Sequence, residues 1–219
     1  MPRICNAQVF GLDESIYRSG YPMLKVAPTE FEFEQNVKSI REMRINGKYG
    51  TAAIKRAIGL AQAKGGGHDQ FLTGITVTAD MTLSIKSWQE AERYTFLNFI
   101  SSMSTMHRIA HFKIGECCNK YVSKEEIAIA ENLQDLYNSI DGGADPEWKK
   151  EAYLCLLYNL PSGFELMAGM VTNYRCLKNI YAQRRNHRLP DWWDFCDWIE
   201  TLPMAQELIT QGLPVGTRP

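Results

Sequence analysis

Between Thr73 and Ile85 the chain reads TGITVTADMTLSI. This alternation of polar and β-branched residues suits a strand and cannot supply the apolar stripe of a helix. Most other apolar residues recur at helical spacing. A strand set among helices must bury a sheet face against them, so the pattern predicts an α+β, mostly helical fold.

The helices are read as follows. One opens at Pro28-Thr29-Glu30, where Thr29 can cap, and Phe31, Val37, Ile40 and Met43 recur along it until Asn46-Gly47. A second runs from Thr51 to Lys64, with Ala53, Ile54, Ala57, Ile58 and Ala61 on one face, and ends in Gly65-Gly66-Gly67. After the strand, Ser84 to Ile100 turns helical, with Trp88, Ala91, Thr95 and Phe99 about one turn apart. Helices resume at Lys124–Ser139, capped by Ser123, and at Pro146–Tyr158, with Asp141-Gly142-Gly143 as the loop between them. Leu160-Pro161-Ser162-Gly163 is a break before a long helix from Phe164 to Arg185, and Pro190 starts a last, aromatic one, DWWDFCDWIETL. Residues 1–28 read as an extended arm with a short strand candidate at Gln8 to Leu12, and 212–219 as a frayed tail. No repeat or charge block divides residues 1–219, which read as a single domain.

Charge narrows the partners. Lysine plus arginine number 24 against 25 acidic residues, which argues against a nucleic-acid polymer and for small molecules or further copies of the chain. The N-terminus lacks the apolar core of a signal peptide, and no run approaches the roughly 18 apolar residues of a membrane span. The expectation is a cytoplasmic protein with no membrane contact. Its six scattered cysteines read as reduced thiols, with Cys155 and Cys176 packed inside helices. No zinc spacing is present, and His107 and His111 lack the glutamate of a metalloprotease helix, so no metal is expected.

Three groups of residues could carry chemistry. On the expected long helix, Asn173 and Arg184 lie eleven residues apart and share a face, while Arg175 and Asn179 share another. Arg175, Arg184 and Arg185 either pair with neighbouring helices or meet an anionic ligand, to which a guanidinium offers a planar fork of donors. The second group is Gln89, Glu92, Arg93 and Tyr94, followed by Ser101, Ser102, Ser104, Thr105, His107 and Arg108. It reads as a phosphate cradle or as a solvated turn. The third is Gly67-His68-Asp69-Gln70-Phe71, which lacks both dinucleotide and P-loop spacing and is either a ligand-approach loop or a plain connection.

Taken in order, these pieces resemble the flavin-dependent thymidylate synthases. That family has a Leu-Pro, then N-x-R-x-L-x-N, then Arg, His and an aromatic-acidic ending. Here the chain has Leu160-Pro161, Asn173, Arg175, Leu177, Asn179, Arg184, His187 and Trp193-Asp194-Phe195. Gly67-His68, Gln89 and Ser102 resemble the family's earlier motifs. The resemblance implies a mostly helical domain with a small antiparallel sheet. It implies FAD held by His68, Arg93, Asn173, Arg175, Asn179 and His187, with Arg184 contacting and polarising the pyrimidine. Substrate would meet Gln89, Ser102, Ser104, Arg108 and Arg184. It further implies a pyrimidine deoxynucleoside monophosphate as substrate, 5,10-methylenetetrahydrofolate as carbon donor, NADPH as reductant, and a homotetramer.

The chain departs from the family at charged positions. The family's Arg-His-Arg triplet is Glu92-Arg93-Tyr94, its Ser-Gly-Arg is Ser102-Met103-Ser104, and Met167 stands where another phosphate arginine is expected. Each lost charge-assisted contact is worth about 1.5–3 kcal/mol. The expected activity is methylation of C5, dUMP to dTMP. The alternatives are a 5-hydroxymethyl product or a non-catalytic nucleotide-binding or assembly protein. Trp192, Trp193, Phe195 and Trp198 read as core or as a contact face.

Overall fold

The computed structural model describes residues 3–63, 67–141 and 145–213. The readings placed on Lys64-Gly65-Gly66, on Gly142-Gly143 and on 214–219 lie outside the described residues. The fold is mostly helical with one four-stranded antiparallel sheet. Its strands are β1 (Ile4–Phe10), β2 (Thr76–Ser84), β3 (Asn98–Ser102) and β4 (Glu165–Asn173), in the order β1-β2-β4-β3. The helices are α1 (Leu12–Arg18), α2 (Glu30–Ile45), α3 (Ala52–Gln62), α4 (Ile85–Ala91) and α5 (Thr105–Arg108). They continue with α6 (Ile114–Cys117), α7 (Lys124–Ser139), α8 (Pro146–Tyr158), α9 (Tyr174–Arg184) and α10 (Pro190–Glu200). The chain divides into two compact units: the larger draws on residues 2–79, 94–98 and 170–219, the smaller on 80–93 and 99–169.

In the larger unit the expected extended arm is instead a strand followed by a helix. β1 starts at Ile4, and α1 buries Leu12 and Ile16, one turn apart, so its apolar spacing is helical. Asp13 on α1 is buried, and its carboxylate accepts from Arg44 Nε at 2.6 Å and from Arg41 Nε at 3.1 Å. That ion cluster fastens α1 to α2. Gly11 precedes α1 with φ +72°, and a Cβ there would lie 2.5 Å from the Gly74 carbonyl oxygen. A Cβ at Gly74 would in turn lie 2.6 Å from Ser15 Oγ. Close approach of α1 to the 3₁₀ segment His68–Gly74 therefore rests on both glycines.

α2 begins as expected. Thr29 Oγ1 accepts the Glu32 N–H while the Glu32 carboxylate accepts the Thr29 N–H at 2.8 Å, a capping box. It ends at Gly47, with φ +66°, where Gly47 and Lys48 donate to the Arg44 and Met43 carbonyls. Val37 and Ile40 are buried, but Phe31 is 69% exposed and does not belong to the packed face. α3 buries Ile54, Ala57 and Ala61, matching its predicted stripe. In α10, Trp192 and Phe195 are fully buried and meet edge to face, so they belong to the core, while Trp193 and Trp198 are half-buried.

Two helices of the sequence reading are corrected. The run from Ser84 to Ile100 is only α4, then a turn closed by Leu97 N–H to Tyr94 O, then β3. Tyr94 and Leu97 are buried while Thr95 and Phe96 are exposed, so the apolar spacing breaks after Ala91. The run from Phe164 to Arg185 is β4 followed by α9. Its Leu, Met and Ala content favours helix, but burial alternates at Ala168, Met170 and Thr172, and pairing with neighbouring strands overrides propensity. Asn173 therefore does not share a helical face with Arg184.

In the smaller unit α7 and α8 occupy the predicted ranges, with Ser123 and Asp145 capping them. Ile109, Ile114, Ala130, Leu156 and Phe164 form its core. Trp88 on α4 donates its indole N–H to Leu166 O at 3.1 Å. All six cysteines are free thiols; Cys176 and Cys196 are buried, whereas Cys155, expected inside, is exposed on α8. Burial, with Cys117 and nearby acidic residues, pushes the Cys118 thiol up to about 11, which makes it a poor nucleophile. No helix of the described residues is long and apolar enough to cross a membrane.

Replacing Asp13 with Ala strands the largely buried Arg44 guanidinium, while Arg41 keeps Glu14, and is expected to cost about 3 kcal/mol in urea unfolding. Thr29→Ala, which removes the capping box, is expected to cost about 1 kcal/mol in the same measurement.

Candidate functional site

The residues singled out at the C-terminal end of the sequence are arranged by the junction of β4 and α9. Asn173 is the N-cap: its extended backbone ends the strand, and its Oδ1 accepts the Cys176 N–H at 2.9 Å. The Tyr174 N–H donates to Ile75 O at 3.0 Å, which holds the start of α9 on the loop before β2. From there Arg175, Lys178 and Asn179 emerge on one side of α9, and Arg184 closes its last turn.

Arg184 is 4% exposed. Its Nε donates to the Tyr94 hydroxyl at 2.8 Å, and that hydroxyl lies 3.1 Å from Gln183 Oε1. Its Nη1 lies 2.7 Å from His187 Nε2, and its central carbon lies 4.6 Å from the Trp192 ring centroid. A guanidinium can only donate, so in this contact His187 Nε2 is the accepting atom. Tyr94 and Trp192 also meet edge to face, with centroids 6.0 Å apart. The result is a buried permanent cation among two aromatic rings, a phenol and an imidazole, where it exerts a field far stronger than in water.

A second cluster lies at the other end of α9. Arg175 Nε donates to Asp69 Oδ1 at 3.2 Å and its Nη1 to Gln70 Oε1 at 2.6 Å. Lys178 Nζ donates to Asp69 Oδ2 at 2.8 Å and to Ala61 O at 2.6 Å. Burial alone would raise the Asp69 carboxyl, but Lys178 and Arg175 outweigh it and hold the group below its ordinary range. Arg175, Lys178 and Asn179, with Gln62 and Gln211, line a cleft of about 510 Å³. A neighbouring cleft of about 460 Å³ is lined by His68, Arg18, Ser19 and Phe71, and Gly67 lines both. Two cations against one carboxylate leave this region with a surplus positive charge. Arg185, by contrast, is committed to Asp197 and Glu200, so its structural reading holds.

The larger unit thus brings Arg175 and Asn179 into one cleft and His68 into the next, and pairs Arg184 with His187. Asn173 is nearby in sequence but spends its Oδ1 on the cap. Gln89 on α4, Arg93 after it, Ser102 on β3, Ser104 before α5 and Arg108 at its end belong to the smaller unit. There Gln89, Arg93, Ser102 and Arg108 are exposed, and Ser104 O accepts the Arg108 N–H at 3.1 Å. The sequence reading missed Lys178, and it named Asp69 and Tyr94 without their pairing to Arg175 and Arg184. Lys178 is three residues from Arg175, one helical turn, which was a usable signal; the pairing of Tyr94 with Arg184 across 90 residues left none. Among the described residues no group of three or more His, Cys, Asp or Glu side chains could hold a metal ion.

No family model matches the sequence, and no curated protein matches it. The fold is similar to thymidylate synthase X (ThyX) from Helicobacter pylori with FAD and dUMP, at 17% identity and a TM-score of 0.56, covering 80% of this chain and 92% of that one. It is similar also to the flavin-dependent thymidylate synthase ThyX from Helicobacter pylori complexed with FAD and dUMP, at 14% identity and a TM-score of 0.61, covering 97% of this chain and all of that one. At these identities the likeness establishes the fold.

A depressed carboxyl contributes stability that is present above its ordinary range and lost as pH falls through its folded value. Acid unfolding is therefore expected to steepen below about pH 4, and Asp69→Asn to flatten that limb when unfolding free energy is followed against pH. Tyr94→Phe, which deprives buried Arg184 of an acceptor, is expected to cost about 1–3 kcal/mol in thermal or urea unfolding.

Proposed function

We propose that the chain is a flavin-dependent enzyme that methylates C5 of a pyrimidine deoxynucleotide, converting dUMP to dTMP. The observation that carries this reading is the buried Arg184 guanidinium, at the position where the resemblance puts the pyrimidine-contacting arginine. Likeness of fold over 97% of the chain to a structure complexed with FAD and dUMP supports it.

The residues present fit a flavin dinucleotide. The clefts that meet at Gly67 offer the donors of Arg175, Lys178 and Asn179 together with His68, and their surplus charge suits an anionic ligand. The flavin, when bound, supplies the hydride that completes the methyl group. Arg184 holds a permanent positive charge where it stabilises negative charge building on a pyrimidine carbonyl, and its pairing with Tyr94 and His187 fixes the direction of that charge. In this reading 5,10-methylenetetrahydrofolate gives the carbon and NADPH reduces the flavin. Gln89, Ser102, Ser104 and Arg108 meet the nucleotide, Arg93 meets the flavin, and the enzyme is a cytoplasmic homotetramer.

A second reading has a specific observation behind it. Trp192, Tyr94 and His187 already surround the Arg184 guanidinium, which also suits a structural cation in a nucleotide-binding protein without turnover. Purified protein titrated with FAD and assayed with dUMP, folate and reductant separates the two. The enzyme is expected to be yellow, to be stabilised by FAD and dUMP, and to lose turnover in Arg184→Ala. A colourless protein that takes up no FAD overturns the proposal.

A further inference from the structure

At the junction of α1, α2 and α3, within the larger unit, a cavity of about 330 Å³ opens beside Arg56. This volume lies at the small end of ligand sites, which run from about 300 to 1,000 Å³. The half-buried Arg56 guanidinium lies across Gly20, where a Cβ would sit 2.5 Å from Nη2. Its Nε donates to Ser19 Oγ at 3.3 Å, and that hydroxyl already donates to Ile16 O at 2.7 Å. No carboxylate pairs with Arg56 among the described residues, and the described lining contains this one cation and no acid. A half-buried guanidinium without a counter-charge favours an anion in the space it faces.

Two further features border the same space. The first turn of α3, at Thr51, Ala52 and Ala53, lines the cavity, so the positive end of an eleven-residue helix opens on it. Thr51 makes no side-chain cap bond, and its Oγ1 is buried without a hydrogen-bond partner. Ile40, Met43 and Leu24 give the lining apolar surface beside Asn36 and Ser39 of α2. One guanidinium and one helix end balance a single negative charge rather than the near-double charge of a phosphate monoester, and the apolar surface calls for a hydrocarbon body. We propose that this cavity binds a small organic carboxylate. Its head group pairs with Arg56 and the start of α3, and its apolar body lies against Ile40 and Met43.

The test is titration calorimetry on the full chain with phenylacetate as probe and phenylacetamide as its uncharged counterpart, backed by amide chemical shifts at residues 51–56. Phenylacetate is expected to bind at least about tenfold more tightly than the amide and to move those signals. Arg56→Gln is expected to abolish the preference. Gly20→Ala, whose backbone at φ −93° accepts a side chain but whose Cβ displaces the guanidinium, is expected to weaken phenylacetate while circular dichroism stays unchanged. Equal affinity for acid and amide, no binding of either, or tighter binding of inorganic phosphate than of phenylacetate overturns the proposal. FAD uptake by the unsubstituted protein, measured in parallel, tests the flavin reading separately.

Discussion

One hydrogen bond organises the functional half of the larger unit: Asn173 Oδ1 accepting the N–H of Cys176. It satisfies an orphan donor at the start of α9 and fixes the residue at which extended backbone becomes helix. Everything further along α9 inherits its direction from that residue. Arg175, Lys178 and Asn179 face the polar cleft because they stand two, five and six positions beyond it. Arg184 falls under Trp192 because it closes the last turn. The Tyr174 side chain, fully buried and donating to Pro203 O at 2.7 Å, anchors the same turn from the other side.

What could be read in advance follows from how local the determinants are. The limits of α7 and α8 were legible because Ser123, Asp145 and Pro146 act within one turn of the helices they start. β2 was legible because its own alternation runs through nine residues. β4 was not, because Leu166, Met167, Ala168 and Met170 carry helical propensity and only strand pairing distinguishes the two outcomes. The N-terminal helix was missed for a similar reason: a seven-residue helix held by a buried carboxylate depends on Arg44, which lies 31 residues away. At the candidate site the cationic residues could be named from spacing, whereas their partners could not. Asp69 and Tyr94 matter through what folds against them.

The two clusters on α9 treat positive charge in opposite ways. Arg175 and Lys178 share a carboxylate and remain partly open to solvent, so their field is partly cancelled and screened. Arg184 is buried against the Tyr94 hydroxyl, the His187 imidazole and the Trp192 ring. The near-zero net charge of the chain therefore says little about the local potential, because a charge held away from solvent acts more strongly than the same charge on the surface.

The contact between Gly11 and Gly74 bears on how such a sequence can drift. Gly11 has no room for a methyl group because the Gly74 carbonyl occupies the space, and Gly74 has none because Ser15 does. Gly11 cannot change without separating α1 from the segment that carries Asp69, because backbone fills the space, whereas at Gly74 the obstacle is one side-chain hydroxyl. The permissible order of substitutions is thus restricted: the helix must move before Gly11 can be lost, and Ser15 must turn away or be replaced before Gly74 can. A lineage that keeps this packing is held to Gly11, however freely the surrounding surface diverges.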